Sequence, residues 1–396
     1  MADILNKSAF YIPDGVIYLD GNSLGPLPRA VPLRVQQMLT DEWGKLLIGG
    51  WNKASWMDQP MRVGNMVARI IGAAEGSVVM GDTLSIKVFQ AVSSALKLRS
   101  DRRVILSDTG NFPSDLYMVE GLVKLLDQGY ELRTVAPEEV TQAIGDDVAV
   151  VMLTEVDYRT GRKHDMRTVT QQVQAAGAIM VWDLAHSAGA VPVDMTGSNA
   201  EFAVGCTYKY LNGGPGAPGF IYVRPDLAGA VQPALAGWLG HRQPFDFELN
   251  YAPGSGIERM RVGTPPVIQL TALETAMELW QDVDMDRLRA ASITLQEQFI
   301  TEIERDVPQL TLASPRDPSM RGSQVSWQFD HGYAAMQAVI DRGVIGDFRA
   351  PDIMRFGFTP LYIDGGDVSA AVKVISDVMN NDLWDEDKYK VKSRVT

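Results

Sequence analysis

Short apolar runs and stretches with helical spacing alternate along most of this chain. Apolar runs at 77–80, 104–107, 131–135, 148–154, 178–182, 202–207 and 220–223 are bounded by turn-forming residues. Runs of this length suit strands buried on both faces, as in a parallel sheet. Between them, apolar positions recur at helical spacing. Val31, Val35, Met38, Leu39, Trp43 and Leu46 predict a helix over 29–47, and Val63, Val67, Ile70 and Ile71 predict one over 61–71. Further helices are expected after 85 (Ile86, Phe89, Val92 and Leu96 inward) and over 137–144, 166–176 and 266–280. Strand and helix in strict alternation imply a sheet covered by helices on both faces. From about 283 the pattern changes. A long amphipathic helix (284–305) precedes short strands near 325–329, 344–348 and 353–358, with helices at 333–342 and 367–379. The expected organisation is an α/β protein: an N-terminal segment (1–60) packing on both domains, a large domain (61–282) with a mainly parallel sheet, and a smaller α+β domain (283–396).

Composition narrows the function. A net charge of −13 argues against nucleic acid or an anionic membrane as partner, because both reward clustered Lys and Arg. The basic stretch at 387–394 reads as a solvated end. The single cysteine, Cys206, rules out an intrachain disulfide framework and agrees with a reducing, cytoplasmic setting. No apolar run approaches the ~20 residues that span a bilayer, the N-terminus lacks a signal-peptide pattern, and no metal site is expected.

The chemistry concentrates at 178–220. One apolar run ends abruptly in Asp183, and the next ends in Tyr208 and Lys209 before the turn NGGPGAPG. Each alone has an ordinary reading, Asp183 as a helix N-cap and Lys209 as a surface residue. Together they place a carboxylate and an amine at the carboxyl ends of strands, where open α/β sheets bind ligands. Burying both charges with nothing between them would cost several kcal/mol. Pyridoxal phosphate fits the gap: its pyridinium nitrogen takes an anionic partner, and its aldehyde takes a lysine as a Schiff base. The strand, turn and helix around 77–96 offer free backbone N–H groups for a phosphate, through the backbone of Leu84 and the hydroxyl of Ser85. Phe112 and Asp115 open the helix after the next strand, at the same edge of the sheet.

DLAHSAG followed by CTYKYLNGGPG resembles the fold-type-I pyridoxal-phosphate enzymes, and specifically the kynureninase family. LDGNSLGP (19–26), FPSD (112–115), GWLGH (237–241), MRVGTPP (260–266) and IMRFGFTPLY (353–362) match that family in order. Lys87 stands where the family usually has Asn. The resemblance implies a seven-stranded sheet and pyridoxal phosphate held by Leu84, Ser85, Phe112, Asp115, Thr154, Asp183, His186, Tyr208 and Lys209. It also implies that Asn22 and Ser23 reach the substrate and that Arg355 clamps the α-carboxylate of an amino acid, a task suited to arginine. Trp238 and Thr264 would reach the neighbouring subunit's site, so a homodimer with shared sites is implied. His164, among charged neighbours, is expected to face solvent.

The implied reaction is hydrolytic Cβ–Cγ cleavage of L-kynurenine or 3-hydroxykynurenine to anthranilate or 3-hydroxyanthranilate and L-alanine, within tryptophan catabolism and NAD biosynthesis. Lys209, Tyr208 and Asp183 would be catalytic. A cysteine desulfurase or selenocysteine lyase on the same fold works through a cysteine on a mobile loop; here the only thiol is three residues before Lys209. An aminotransferase shares the lysine and carboxylate but not the set of flanking motifs. A retired ligand-binding regulator would not need the complete set of reactive residues. A Rossmann oxidoreductase fails because no strand is followed by G-x-G-x-x-G.

Overall fold

The computed structural model describes residues 4–392. The large sheet has seven strands: β1 (Val78–Met80), β2 (Val104–Asp108), β3 (Glu131–Val135), β4 (Val148–Thr154), β5 (Ile179–Asp183), β6 (Phe202–Gly205) and β7 (Phe220–Val223). Their spatial order is β1-β7-β6-β5-β4-β2-β3. β7 runs antiparallel to both of its neighbours; all other pairings are parallel. The period-two alternation of a strand fills both faces at once. Val79, Ile105, Val150, Val181, Val204 and Ile221 enter one apolar cluster. Val78, Met80, Leu106, Val151, Met180, Trp182 and Ala203 enter another.

Two helices open at the carboxyl edge of this sheet and matter most for the site: α3 (Leu84–Leu98) after β1, and α4 (Pro113–Leu126) after β2. They follow α1 (Ala30–Gln37) and α2 (Gln59–Ile70) and precede α5 (Met166–Ala175) and α6 (Val267–Glu278). The helix expected over 29–47 is broken. α1 passes into a π-helical turn, Met38–Trp43, and the chain then reverses through Leu47 at φ 52°. A π turn shifts the side-chain rows, which helical spacing cannot register.

The C-terminal part begins with α7 (Met285–Asp306) and builds a four-stranded antiparallel sheet in the order β8 (Thr311–Leu312), β9 (Gln324–Gln328), β11 (Ile353–Gly357), β10 (Asp347–Arg349). Helix α8 (Gly332–Ile340) packs on it, and α9 (Gly365–Asn380) packs against α7 and α8. The single strand expected at 344–348 is two. Val344–Ile345 leaves the small sheet to pair in parallel with Ile17–Tyr18, and Asp347–Arg349 stays. The segment after Ile17–Tyr18 hydrogen-bonds both to the small sheet and to the loop after β6. Gly357 N donates to the Leu19 carbonyl, Gly25 N donates to the Tyr208 carbonyl, and the Asn212 amide donates to the Pro26 carbonyl. The basic stretch expected at 387–394 lies partly outside the described residues. Among the described residues no helix is long and apolar enough to cross a membrane.

Candidate active site

The carboxyl ends of β4 and β5 lie in register, Thr154 beside Asp183. Asp183 closes its strand fully buried, and its Oδ1 accepts the Ala185 N–H at 2.9 Å. Burial raises its carboxyl to about 6 against the opposing pull of Lys209. Lys209, on the loop after β6, brings Nζ to 2.8 Å from His186 Nε2. Burial depresses both groups, His186 well below its ordinary value. Asp115, in the first turn of α4, is buried beside Asp183. Burial first, and then the Asp183 charge, raise it well above the carboxylate range.

These residues line one cleft together with Leu84, Ser85, Phe112, Thr154 and Tyr208. Phe112 is half-exposed in it and meets Tyr158 edge-on at 5.2 Å between ring centres. Burial raises the Tyr208 phenol, so it keeps its proton at neutral pH. Neither α3 nor α4 has a side-chain cap. Their open N-termini converge where Ser85 Oγ lies 3.0 Å from Ser114 Oγ. Uncapped N–H groups at two dipole ends form an anion cradle.

The donor set fits pyridoxal phosphate. Asp115 Oδ2 is buried without a hydrogen-bond partner among the described residues. A buried polar atom left unpaired costs about 1–3 kcal/mol, which a polar aromatic ligand would remove. An amine, two carboxylates, an aromatic face and a phosphate cradle share one cleft.

The other expected site residues lie outside this lining. Asn22 is fully buried with neither amide atom bonded among the described residues, packed where Gly357 leaves room for it. Ser23 donates to Asp347, and Arg355 grips that same aspartate through Nε and Nη2. Arg355 touches the cleft wall by donating to the Tyr158 carbonyl. Trp238 and Thr264 line a separate apolar depression with Ile48, Trp51, Met57 and Phe245. His164 does not face solvent. It is buried, with Nε2 2.7 Å from Asp108 Oδ2 and Arg162 against its ring. Asp108 is 56 positions away, so local polarity at 158–165 carried no sign of it. Sequence reasoning missed Ser114 and Tyr158 in the lining, and Asp347 and Arg349 behind it. Ser114 stands inside the quoted FPSD, and Asp347 faces Arg355 in a hairpin with Arg349 two residues on, opposite Ile353; Tyr158 gave no signal.

Known proteins resemble this chain in sequence and in fold. The kynureninase C-terminal domain family matches residues 288–375. Kynureninase of Pseudomonas fluorescens is 48% identical over 98% of this chain and 95% of that protein. Kynureninase of Burkholderia pseudomallei (strain 1106a) is 47% identical over the same shares. Among solved structures, cysteine desulfurase from Thermococcus onnurineus NA1 matches with a TM-score of 0.81 at 18% identity, covering 96% of this chain and 98% of that one. A C-DES mutant with glycine covalently linked to its PLP cofactor also reaches 0.81, at 16% identity over 94% and 99%. The two structures share the fold, and the near full-length sequence likeness decides the family. The chain belongs to the kynureninase family.

Proposed function

We propose that this protein is a pyridoxal-phosphate-dependent hydrolase that cleaves the Cβ–Cγ bond of L-kynurenine or 3-hydroxykynurenine, releasing anthranilate or 3-hydroxyanthranilate and L-alanine. The observation that carries it is Lys209 beside His186 in the cleft that Asp183 and Asp115 also line. When bound there, pyridoxal phosphate supplies an electron sink for charge developing at the substrate Cα. Asp183, anchored by the Ala185 N–H, would hold the ring nitrogen, and the starts of α3 and α4 would hold the phosphate.

The chain's own groups then move the protons. Lys209, its basicity reduced by burial, takes the proton from Cα. While Lys209 donates to Nε2, His186 carries its own proton on Nδ1. Tyr208 keeps its phenolic proton and is placed as the acid that returns one to the product. The buried Arg355 anchors the amino acid's carboxylate side. A desulfurase-type reading lacks its nucleophile. Cys206 is buried at the end of β6, and burial pushes its thiol pKa up, away from the reactive thiolate.

The protein works in the cytoplasm as a homodimer. Ile48, 82% exposed, lines the depression that holds Trp238 and Thr264, and Phe247, 76% exposed, packs edge-on against Phe245 of its wall. Contiguous exposed apolar surface of this kind marks an interface, and a second copy would bring Trp238 and Thr264 to its partner's cleft. The deciding experiment follows anthranilate fluorescence from both substrates. Wild type should be yellow, lose its colour on borohydride reduction and turn over at least one substrate. Lys209→Ala should lose the colour change and at least ~1,000-fold in kcat. A colourless wild type, or a Lys209→Ala variant that turns over normally, ends this reading.

A further inference from the structure

Four charged side chains meet where the small sheet faces the large domain. Asp347 and Arg349 are two apart on β10, so they leave the same face of the sheet. Arg355 is the register partner of Asp347 on β11. Asp20 joins them from the loop after Ile17–Tyr18.

Arg355 is nearly used up as a donor. Its Nε and Nη2 hold the two oxygens of Asp347, Nη2 also reaches Ser23 Oγ at 2.8 Å, and Nη1 donates to the Tyr158 carbonyl. Of the five N–H groups in a guanidinium, these leave one, on Nη1, among the described residues. A two-pronged grip on a carboxylate needs two N–H groups side by side. Arg355 alone therefore offers an incoming carboxylate a single hydrogen bond.

Arg349 supplies what is missing. Its Nη2 lies 2.7 Å from Asp347 Oδ2 and 3.2 Å from Ser23 Oγ, the same two acceptors that Arg355 uses, so the guanidiniums are neighbours. Nη1 donates to the Phe348 carbonyl at 3.2 Å, which leaves Nε and a second Nη1 hydrogen open among the described residues. The Arg349 side chain is 32% exposed, against 1% for Arg355. We infer that Arg349 is a second substrate-binding residue, sharing the substrate's α-carboxylate with the remaining Nη1 hydrogen of Arg355 while Asp347 and Ser23 hold both cations in place. The inference rests on the amino-acid substrate proposed above.

The charge balance supports it. Burial works against both carboxylates. At Asp347 the Arg355 cation wins and keeps the group ionised, whereas burial and the Asp347 charge push Asp20 up to about 7. Near neutral pH, two full cations face one full carboxylate and one that is partly protonated, and the surplus suits an anionic ligand. Both guanidiniums also contribute to depressing Lys209 and His186, so their field reaches the cleft.

The test uses the holoenzyme, with anthranilate release from L-kynurenine and competition by kynuramine, the same molecule without its carboxylate. Arg349→Gln should raise KM about tenfold, with kcat within about threefold. Arg349→Lys, which keeps the charge but loses the fork, should raise KM less. Neither variant should change inhibition by kynuramine, whereas a merely structural residue would weaken both ligands together. A KM for Arg349→Gln within about twofold of wild type overturns the inference, as does equal weakening of kynuramine. A wild type that releases no anthranilate overturns the functional reading instead, and this inference with it.

Discussion

Glu155 shows how far a single residue at this sheet edge departs from solution behaviour. It follows Thr154 on β4, is buried, and has no partner for Oε2 among the described residues. Burial raises it to about 7, only partly offset by the Ser187 hydroxyl and the Lys163 and Arg289 charges. The folded state therefore binds this proton more tightly than the unfolded chain, so this contribution falls as pH rises. It costs nothing below about pH 4.5, grows between 4.5 and 7, and is fully felt above 7, on the order of 3 kcal/mol. Glu155→Gln should melt several degrees above wild type at pH 8, with the gap closing toward pH 4.5. Melting curves across that range check it; a constant gap would mean that the carboxyl is not the cause. Asp183, raised less far and facing Lys209, carries the same sign. Replacing it would also remove the partner proposed for the cofactor's ring nitrogen, so Glu155 is the cleaner probe.

At the scale of elements, the cleft depends on how closely the start of α3 approaches the strand behind it. Gly219 makes that approach possible. A Cβ there would lie 2.9 Å from Leu84 N and 3.1 Å from both Thr83 C and Gly205 O, all backbone atoms that cannot swing aside. Gly219→Ala should push the α3 N-terminus out of the phosphate cradle and weaken pyridoxal phosphate about tenfold. Titration of the apoenzyme with cofactor measures this, and an unchanged affinity with only a lowered melting temperature would refute it. This cradle was legible in the sequence because a strand, a turn and a helix follow one another within about twenty residues. Asp183 and Lys209 were legible for a similar reason, each ending an apolar run abruptly. What could not be read arises between distant elements. His164 is buried by Asp108 from another strand, and the Arg355 donors are consumed by Asp347, Ser23 and the Tyr158 carbonyl. The π-helical turn in 38–43 and the departure of Val344–Ile345 to pair with Ile17–Tyr18 leave no mark on apolar spacing.

For the whole molecule, Trp238 and Thr264 lie outside the Lys209 cleft, so the role proposed for them requires a second copy. They sit with Ile48, Trp51, Met57 and Phe245 in an apolar depression of their own. If two copies pack there in a two-fold arrangement, each site takes Lys209 from one subunit and Trp238 from the other. Separate variants then complement each other. Lys209→Ala and Trp238→Ala would each spoil both sites of their own dimer. A mixed dimer would put both defects into one site and leave the other intact. With random reassortment half the dimers are mixed, each with one working site of two, so a mixture of two inactive parents recovers about a quarter of wild-type activity. Co-refolding or co-expression followed by anthranilate assay measures it, with sedimentation confirming the dimer. Recovery near zero from two inactive, fully dimeric parents would place all the catalytic groups within one chain. Ile48→Glu should lower activity and dimer content together, because it puts a charge into surface that the partner must desolvate.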